Sequence, residues 1–185
     1  MVEQWIVLAE NNNYEFSNQG NLRHIKTGRY KKLIPAGSSY YYSIYQPGSR
    51  SKPFKRSVAR LMRDYFPDEW LNQLRNDELV KPIEGFDGYY ITTHGRVFSI
   101  NSYRWLNSYL SHDYYYSVAL GRVPRDIHTL VGRAFLPDYQ EGLLICHHNE
   151  DLPEPEIYHL NNLFTGNHIE NAQDMIDKGR GRWQR

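Results

Sequence analysis

Ile145-Cys146-His147-His148-Asn149, followed by Asn162-Leu163-Phe164-Thr165-Gly166-Asn167 and then Asn171, is the stretch on which the reading of this chain turns. The apolar run Leu143-Leu144-Ile145-Cys146 reads as a short strand ending in two adjacent imidazoles, and Leu163-Phe164 reads as its return. Gly166-Asn167 then opens a helix, because an asparagine at that position satisfies exposed backbone amides. Strand, strand and helix follow one another within about forty residues. If the first strand stays extended, neighbouring side chains point to opposite faces, which lets His147 face a metal while His148 faces a water. Asn162, 14 residues after His148, sits where a side-chain or backbone oxygen can orient an imidazole, and Asn171 falls one or two turns into the helix, where it can present an oxygen.

Composition bounds what this segment belongs to. At 185 residues with 40% hydrophobic content the chain can bury a core as one ordinary domain or two small ones. The single cysteine, Cys146, forbids an internal disulfide and the multi-cysteine zinc frameworks, so any metal must sit on histidine, asparagine or carboxylate ligands. No apolar run approaches the roughly 20 residues that span a bilayer, and Met1-Val2-Glu3-Gln4 has no basic start. The expectation is a soluble protein of the cytoplasm without a membrane partner.

The net charge of +1 conceals an asymmetry. Residues 1–78 carry 12 Lys+Arg against 8 Asp+Glu, and residues 79–185 carry 10 against 13. Between Phe16 and Arg63 there is no acid, while Arg23, Lys26, Arg29, Lys31, Lys32, Arg50, Lys52, Lys55, Arg56, Arg60 and Arg63 supply 11 positive charges. Soluble surfaces usually intersperse both signs, so this run reads as an electrostatic footprint for a polyanion.

An internal repeat organises the first three quarters. Tyr14-Glu15-Phe16-Ser17-Asn18-Gln19-Gly20-Asn21-Leu22 matches Tyr89-Tyr90-Ile91-Thr92-Thr93-His94-Gly95-Arg96-Val97, and Tyr40-Tyr41-Tyr42-Ser43-Ile44 matches Tyr114-Tyr115-Tyr116-Ser117-Val118. A third block runs from Val58-Ala59-Arg60-Leu61-Met62 to Phe66, and again from Ile127-His128-Thr129-Leu130-Val131 to Phe135, with Ala59 standing where His128 stands. Each copy reads as short strands around a Gly turn, an aromatic strand and one helix that covers a half-buried antiparallel sheet. The tyrosine runs read as strand residues whose alternate rings pack inward, with a platform for stacking bases as the alternative. Pro67 to Arg75 reads as a further short helix and Asn76-Asp77-Glu78 as a linker. The expected domains are 1–78, a basic β-rich DNA-binding repeat; 79–137, the second repeat; and 138–185, the histidine-bearing segment with a basic tail.

From Val80-Lys81-Pro82-Ile83-Glu84-Gly85-Phe86-Asp87-Gly88-Tyr89-Tyr90 onward, through Ile127 to Pro137 and on to Asn171-Ala172-Gln173-Asp174-Met175-Ile176-Asp177-Lys178-Gly179-Arg180, the chain resembles phage and intron-encoded HNH endonucleases over residues 80–180. The resemblance implies an α+β fold, with two repeated small antiparallel-sheet-plus-helix units followed by a C-terminal ββα-metal motif. It implies metal-dependent hydrolysis of DNA phosphodiester bonds, by nicking or double-strand cleavage, in a homing-type enzyme of phage or mobile-element origin. By that resemblance His147 and Asn171 are metal ligands, His148 is the general base and Asn162 orients it. The implied partner is double-stranded DNA, bound by a protein for which a monomer is favoured and which needs no organic cofactor. The implied ion is magnesium or manganese, with nickel, cobalt or zinc tolerated in a histidine-containing site.

The chemistry agrees with that assignment. Phosphodiester hydrolysis needs an activated water, neutralisation of developing charge and fixed geometry, and imidazole titrates near pH 6.5, where it serves as a base at neutral pH. Where many relatives have an acid before the base histidine, this chain has His147, and the insert from Asn149 to Glu156 lacks the usual glycine turn, leaving open whether Glu150 or Asp151 adds a ligand. His159 is an alternative to Asn162, and His128 reads as a helix residue packing near the site. In the tail, Arg180 and Arg182 either grip phosphates or belong to a disordered solubilising segment. Two other function classes stay open, a catalytically silent DNA-binding regulator and a ribonuclease.

Overall fold

A computed structural model describes residues 2–37, 39–45, 53–111 and 115–179, and it divides the chain into two compact units. Among the described residues it is a mixture of small antiparallel sheets with three α-helices. No helix among the described residues is long and apolar enough to cross a membrane.

The first unit comprises residues 1–74 and 100–104. Strands β1 (Trp5–Leu8), β2 (Asn11–Ser17) and β3 (Leu22–His24) form one antiparallel meander, and β4 (Ile34–Ala36), β5 (Ser39–Ile44) and β6 (Phe54–Ser57) form another. Period-two alternation selects what is buried. In β5, Tyr42 and Ile44 are sealed while Tyr41 and Ser43 between and beside them are only half-buried; Tyr40, near the strand's start, is 55% exposed although it shares the parity of the sealed pair. Helix α1 (Val58–Tyr65) begins at Ser57, whose hydroxyl accepts from the Arg60 N–H, and it lays Leu61 and Met62 on a core of Phe16, Leu22 and Ile44. The predicted helix after Pro67 is a 3-10 turn, Glu69–Gln73, anchored by buried Trp70.

The second unit comprises residues 75–99 and 105–185. It contains β7 (Val80–Pro82), β8 (Tyr89–Thr92) and β9 (Val97–Ser99), with the short strand β10 (Arg104–Trp105) beside β9, and then a meander of β11 (Tyr109–Leu110), β12 (Tyr116–Leu120) and β13 (Val123–Asp126). Helix α2 (Ile127–Phe135) follows, then the hairpin β14 (Leu144–His147) and β15 (Leu163–Gly166), then helix α3 (His168–Asp177). Leu130 and Val131 of α2 share one core with Ile91, Val118, Tyr158 and Leu163, so residues on both sides of position 137 bury a common apolar surface. Gly132 lets α2 approach β14, since a Cβ there would lie 2.5 Å from Ile145 Cδ1.

Glu78, expected in a linker, is instead a buried carboxylate of this unit. Its side chain is fully shielded, Arg96 Nε donates to Oε1 at 2.8 Å, and a second guanidinium nitrogen meets Oε2. An arginine 18 residues downstream supplies the countercharge, and only the return of β8 and β9 brings it there.

Two glycines in left-handed turns make a paired test. Gly95 has φ +74 and a Cβ there would lie 2.1 Å from Tyr158 Cδ2, whereas Gly20 has φ +82 and its nearest neighbour, Val58 Cγ1, is at 3.5 Å. Gly20→Ala should cost about 1 kcal/mol of backbone strain. Gly95→Ala, which must also displace a buried ring, should cost roughly 2–3 kcal/mol. Urea midpoints of the two variants check the ranking, and equal losses would mean that Tyr158 yields freely.

Candidate active site at the β14–β15–α3 segment

The hairpin register decides which side chains meet. Cys146 pairs with Phe164 and His147 with Leu163, so Ile145, His147 and Leu163 share one face, and Cys146 and Phe164 share the other. The first face lies against α2, where Ile145 abuts Gly132. The second lies under α3, where the Cys146 thiol donates to Asn171 Oδ1 at 3.3 Å. His148, one residue beyond the strand, stacks on Phe164 at 4.7 Å and joins the α3 face.

His147 is 6% exposed, with its ring centroid 4.8 Å from that of His128 and 6.2 Å from that of Tyr115. It lines a cavity of about 260 Å³ whose wall also carries Glu150, Asp151 and Tyr158. Burial pushes the His128 imidazole down to about 4 against the opposing charge of Asp126, so this ring is neutral at physiological pH. On the opposite face, burial pushes the Cys146 thiol up, Asp174 and Glu170 push it further, and Lys178 opposes them. Cys146 is therefore a thiol, consistent with its donating to Asn171.

The sequence expectation makes His147 and Asn171 the metal-ligand pair. His147 and Asn171 lie on opposite faces of the hairpin, because neighbours in an extended strand diverge and α3 covers the face of Cys146 and His148. Among the described residues no group of three His, Cys, Asp or Glu side chains stands close enough to hold an ion.

Asn162 is 7% exposed and orients the segment through the main chain. Its carbonyl accepts from the His148 N–H at 2.8 Å, its Oδ1 accepts from Asn149 N at 2.9 Å, and its Nδ2 donates to the carbonyls of Asn149 at 2.8 Å and Ile157 at 2.7 Å. The side-chain amide thus clasps the insert rather than the imidazole. Asn162→Ala leaves three backbone groups of the insert without their partner; faster proteolysis between residues 149 and 157, with any cleavage activity lowered about 10–100-fold, is the expected result. Limited digestion and a nicking assay on the same preparation check it. His159, the alternative to Asn162, accepts from Asn161 N at 3.2 Å through Nδ1 and packs edge-on against His94 at 4.5 Å. Burial and the neighbouring His94 push its imidazole down.

Asn167 caps α3, with Oδ1 accepting from Ile169 N and Glu170 N while Glu170 Oε2 accepts from Asn167 N, a reciprocal box that sets where Asn171 falls. At the other end of α3, Lys178 Nζ donates to the His147 carbonyl at 2.8 Å and pairs with Asp174 at 2.7 Å. Sequence reasoning missed this strut, and i,i+4 spacing from Asp174 was its only signal. His128, read from the sequence as a helix residue packing near the site, does lie beside His147, whereas the company of Tyr115 was missed; the usable signal was parity, since Ile145 and His147 must share a face.

The basic run is less bare than its sequence. Acids flanking it fold back onto it: Glu15 pairs with Arg23 at 2.6 Å, Glu10 with Arg56 at 3.0 Å, and Asp64 with Arg60 and Arg63 at 3.3 and 3.4 Å. Arg23 also lies over the Trp5 ring, and Lys31 lies between Tyr14 and Tyr45. Lys26, Arg29, Lys32 and Lys55 are exposed and have no ion pair among the described residues. Arg50, Lys52, Arg180 and Arg182 lie outside the described residues, as does Tyr114.

No family model matches the sequence, and neither does any curated protein. A solved structure described as DNA binding and cleavage by the HNH homing endonuclease I-HmuI is similar to 55% of this chain, at 25% identity and a TM-score of 0.48. The chain spans 60% of the length of that structure.

Proposed function

We propose that this chain is a metal-dependent DNA endonuclease of the HNH type. The observation that carries the reading is the strand–strand–helix segment in which two vicinal imidazoles close β14, a buried asparagine clasps the insert behind them, and a capped helix brings Asn171 over the hairpin. The roles of the two histidines exchange relative to the sequence expectation. His147, set in a cavity among neutral rings, is the base that takes a proton from water, and His148 and Asn171, on the α3 face, are the residues that would hold the ion.

The groups on the α3 face are the Asn171 amide oxygen, the His148 imidazole and the Cys146 thiol, with the Glu170 and Asp174 carboxylates of the same helix near enough to act on that thiol. Nitrogen and oxygen donors with carboxylates nearby fit magnesium or manganese and tolerate nickel, cobalt or zinc. When bound, the ion supplies charge stabilisation at the phosphoryl and leaving oxygens. The basic first segment, residues 1–78, contributes phosphate contacts that position the duplex, and the unpaired cations Lys26, Arg29, Lys32 and Lys55 are its main donors. Replacing all four by glutamine should flatten the dependence of log Kobs on log salt by about 0.9 per lost contact, while Arg60→Gln should leave it nearly unchanged. Fluorescence anisotropy with a duplex at several salt concentrations checks this.

A second reading, a duplex-binding protein without turnover, is favoured by the divergence of the two rings. Supercoiled plasmid incubated with each divalent ion, with and without EDTA, decides between them. Nicks that require the ion support the enzyme; tight duplex binding with no cut under any ion supports the binder, and cuts confined to RNA support a ribonuclease.

A further inference from the structure

We propose that His128 is a positioning residue for His147, holding its ring in the working orientation together with Tyr115. The inference rests on the nuclease reading for its consequence in catalysis, but its geometry stands alone. His128 is the second residue of α2, and its ring centroid lies 4.8 Å from those of both His147 and Tyr115. Tyr115 in turn lies nearly parallel to His147, at 13°. The three rings enclose one side of the cavity that Glu150 and Asp151 flank. A ring packed in this way loses most of its freedom about χ1 and χ2, which is what a proton-transfer group needs, since small misplacements cost large factors in rate.

The first unit supplies an internal control. Ala59 is the second residue of α1, and that helix lays Leu61 and Met62 on its core as α2 lays Leu130 and Val131 on its own. Covering a sheet with this kind of helix therefore requires no imidazole at the second position. Placing a polar ring there at 9% exposure carries a desolvation cost that an alanine avoids, and among the described residues the ring's hydrogen-bonding neighbour is Thr129 Oγ1 at 3.3 Å. The unit that carries the vicinal histidines is the one that has the imidazole. Because burial keeps His128 neutral, it crowds His147 without adding charge beside it.

The test compares the wild-type chain with His128→Ala and His128→Phe, the second of which restores a ring. For His128→Ala we expect kcat for plasmid nicking to fall about 10–100-fold while KM and duplex affinity stay within about threefold, with His128→Phe recovering most of the loss. Unfolding of His128→Ala should remain cooperative, as a helix with alanine at that position already folds in the first unit. Independently of activity, diethylpyrocarbonate modification of His147, read by peptide mass, should accelerate several-fold in His128→Ala and return toward wild type in His128→Phe. A kcat unchanged in His128→Ala, or a loss confined to KM, overturns the proposal. If wild type cuts nothing, the nuclease reading fails, and unaltered His147 reactivity in His128→Ala then overturns the positioning claim as well.

Discussion

His147→Ala is expected to lower the rate of metal-dependent nicking by about 10²–10⁴-fold, the usual worth of a positioned general base. Duplex affinity should be nearly unchanged, because the ring is enclosed and phosphate contacts lie elsewhere. His148→Ala should behave differently. On the α3 face the ring is stacked on Phe164, outside the His128 cavity, so its loss should weaken the apparent affinity for the ion and be offset in part at high ion concentration. Titrating each variant with manganese separates the two roles: a rate deficit in His147→Ala persists at saturating ion, and the deficit in His148→Ala shrinks. The reverse pattern would restore the roles expected from sequence and would require the hairpin to present its residues with the opposite parity.

Glu78→Ala is expected to destabilise the second unit by roughly 3–5 kcal/mol, because it leaves the Arg96 guanidinium partly buried against Trp105 without its countercharge. Burial alone would raise the Glu78 carboxyl, but hydrogen bonds from Arg96, Thr92 and the Arg75 amide, with the arginine charge, bring it from 4.5 down to about 2. A carboxyl depressed on folding contributes stability that is fully present above its unfolded value and is lost as pH falls from about 4.5 through about 2. The shift corresponds to something on the order of 3 kcal/mol. Denaturant unfolding from pH 7 to pH 2 should therefore show a steep acid limb in wild type and a flatter one in Glu78→Gln. Parallel limbs would mean that the Glu78–Arg96 pair is no stronger in the folded chain than in the unfolded one.

Local signals were legible where the local chain decides the outcome. The 3.6-residue period placed α1 and α2, the Gly20 and Gly95 turns announced themselves, and Asn167 marked the start of α3 because a cap is made by residues three positions apart. Alternation accounts for Tyr42 being sealed with Ile44 but not for Tyr40, which shares their parity and is 55% exposed near the start of β5. The charge run was legible as composition but not as surface, since Glu10 and Glu15 lie outside the run and reach Arg56 and Arg23 only after the strands pair, and Asp64 turns back onto Arg60 and Arg63 within α1. Glu78 was misread for the same reason: nothing near it in sequence suggests a partner, and the partner is Arg96.

The sequence by itself determined that two imidazoles end a strand, that an asparagine-capped helix follows, and that neighbours in that strand diverge, because backbone stereochemistry and capping act over a few residues. Only the tertiary structure decided which imidazole faces which helix. Side-chain parity is set by the pairing of Cys146 with Phe164 and by α2 and α3 taking opposite faces of the hairpin, and a shift of one residue in that register would exchange the surroundings of His147 and His148 completely.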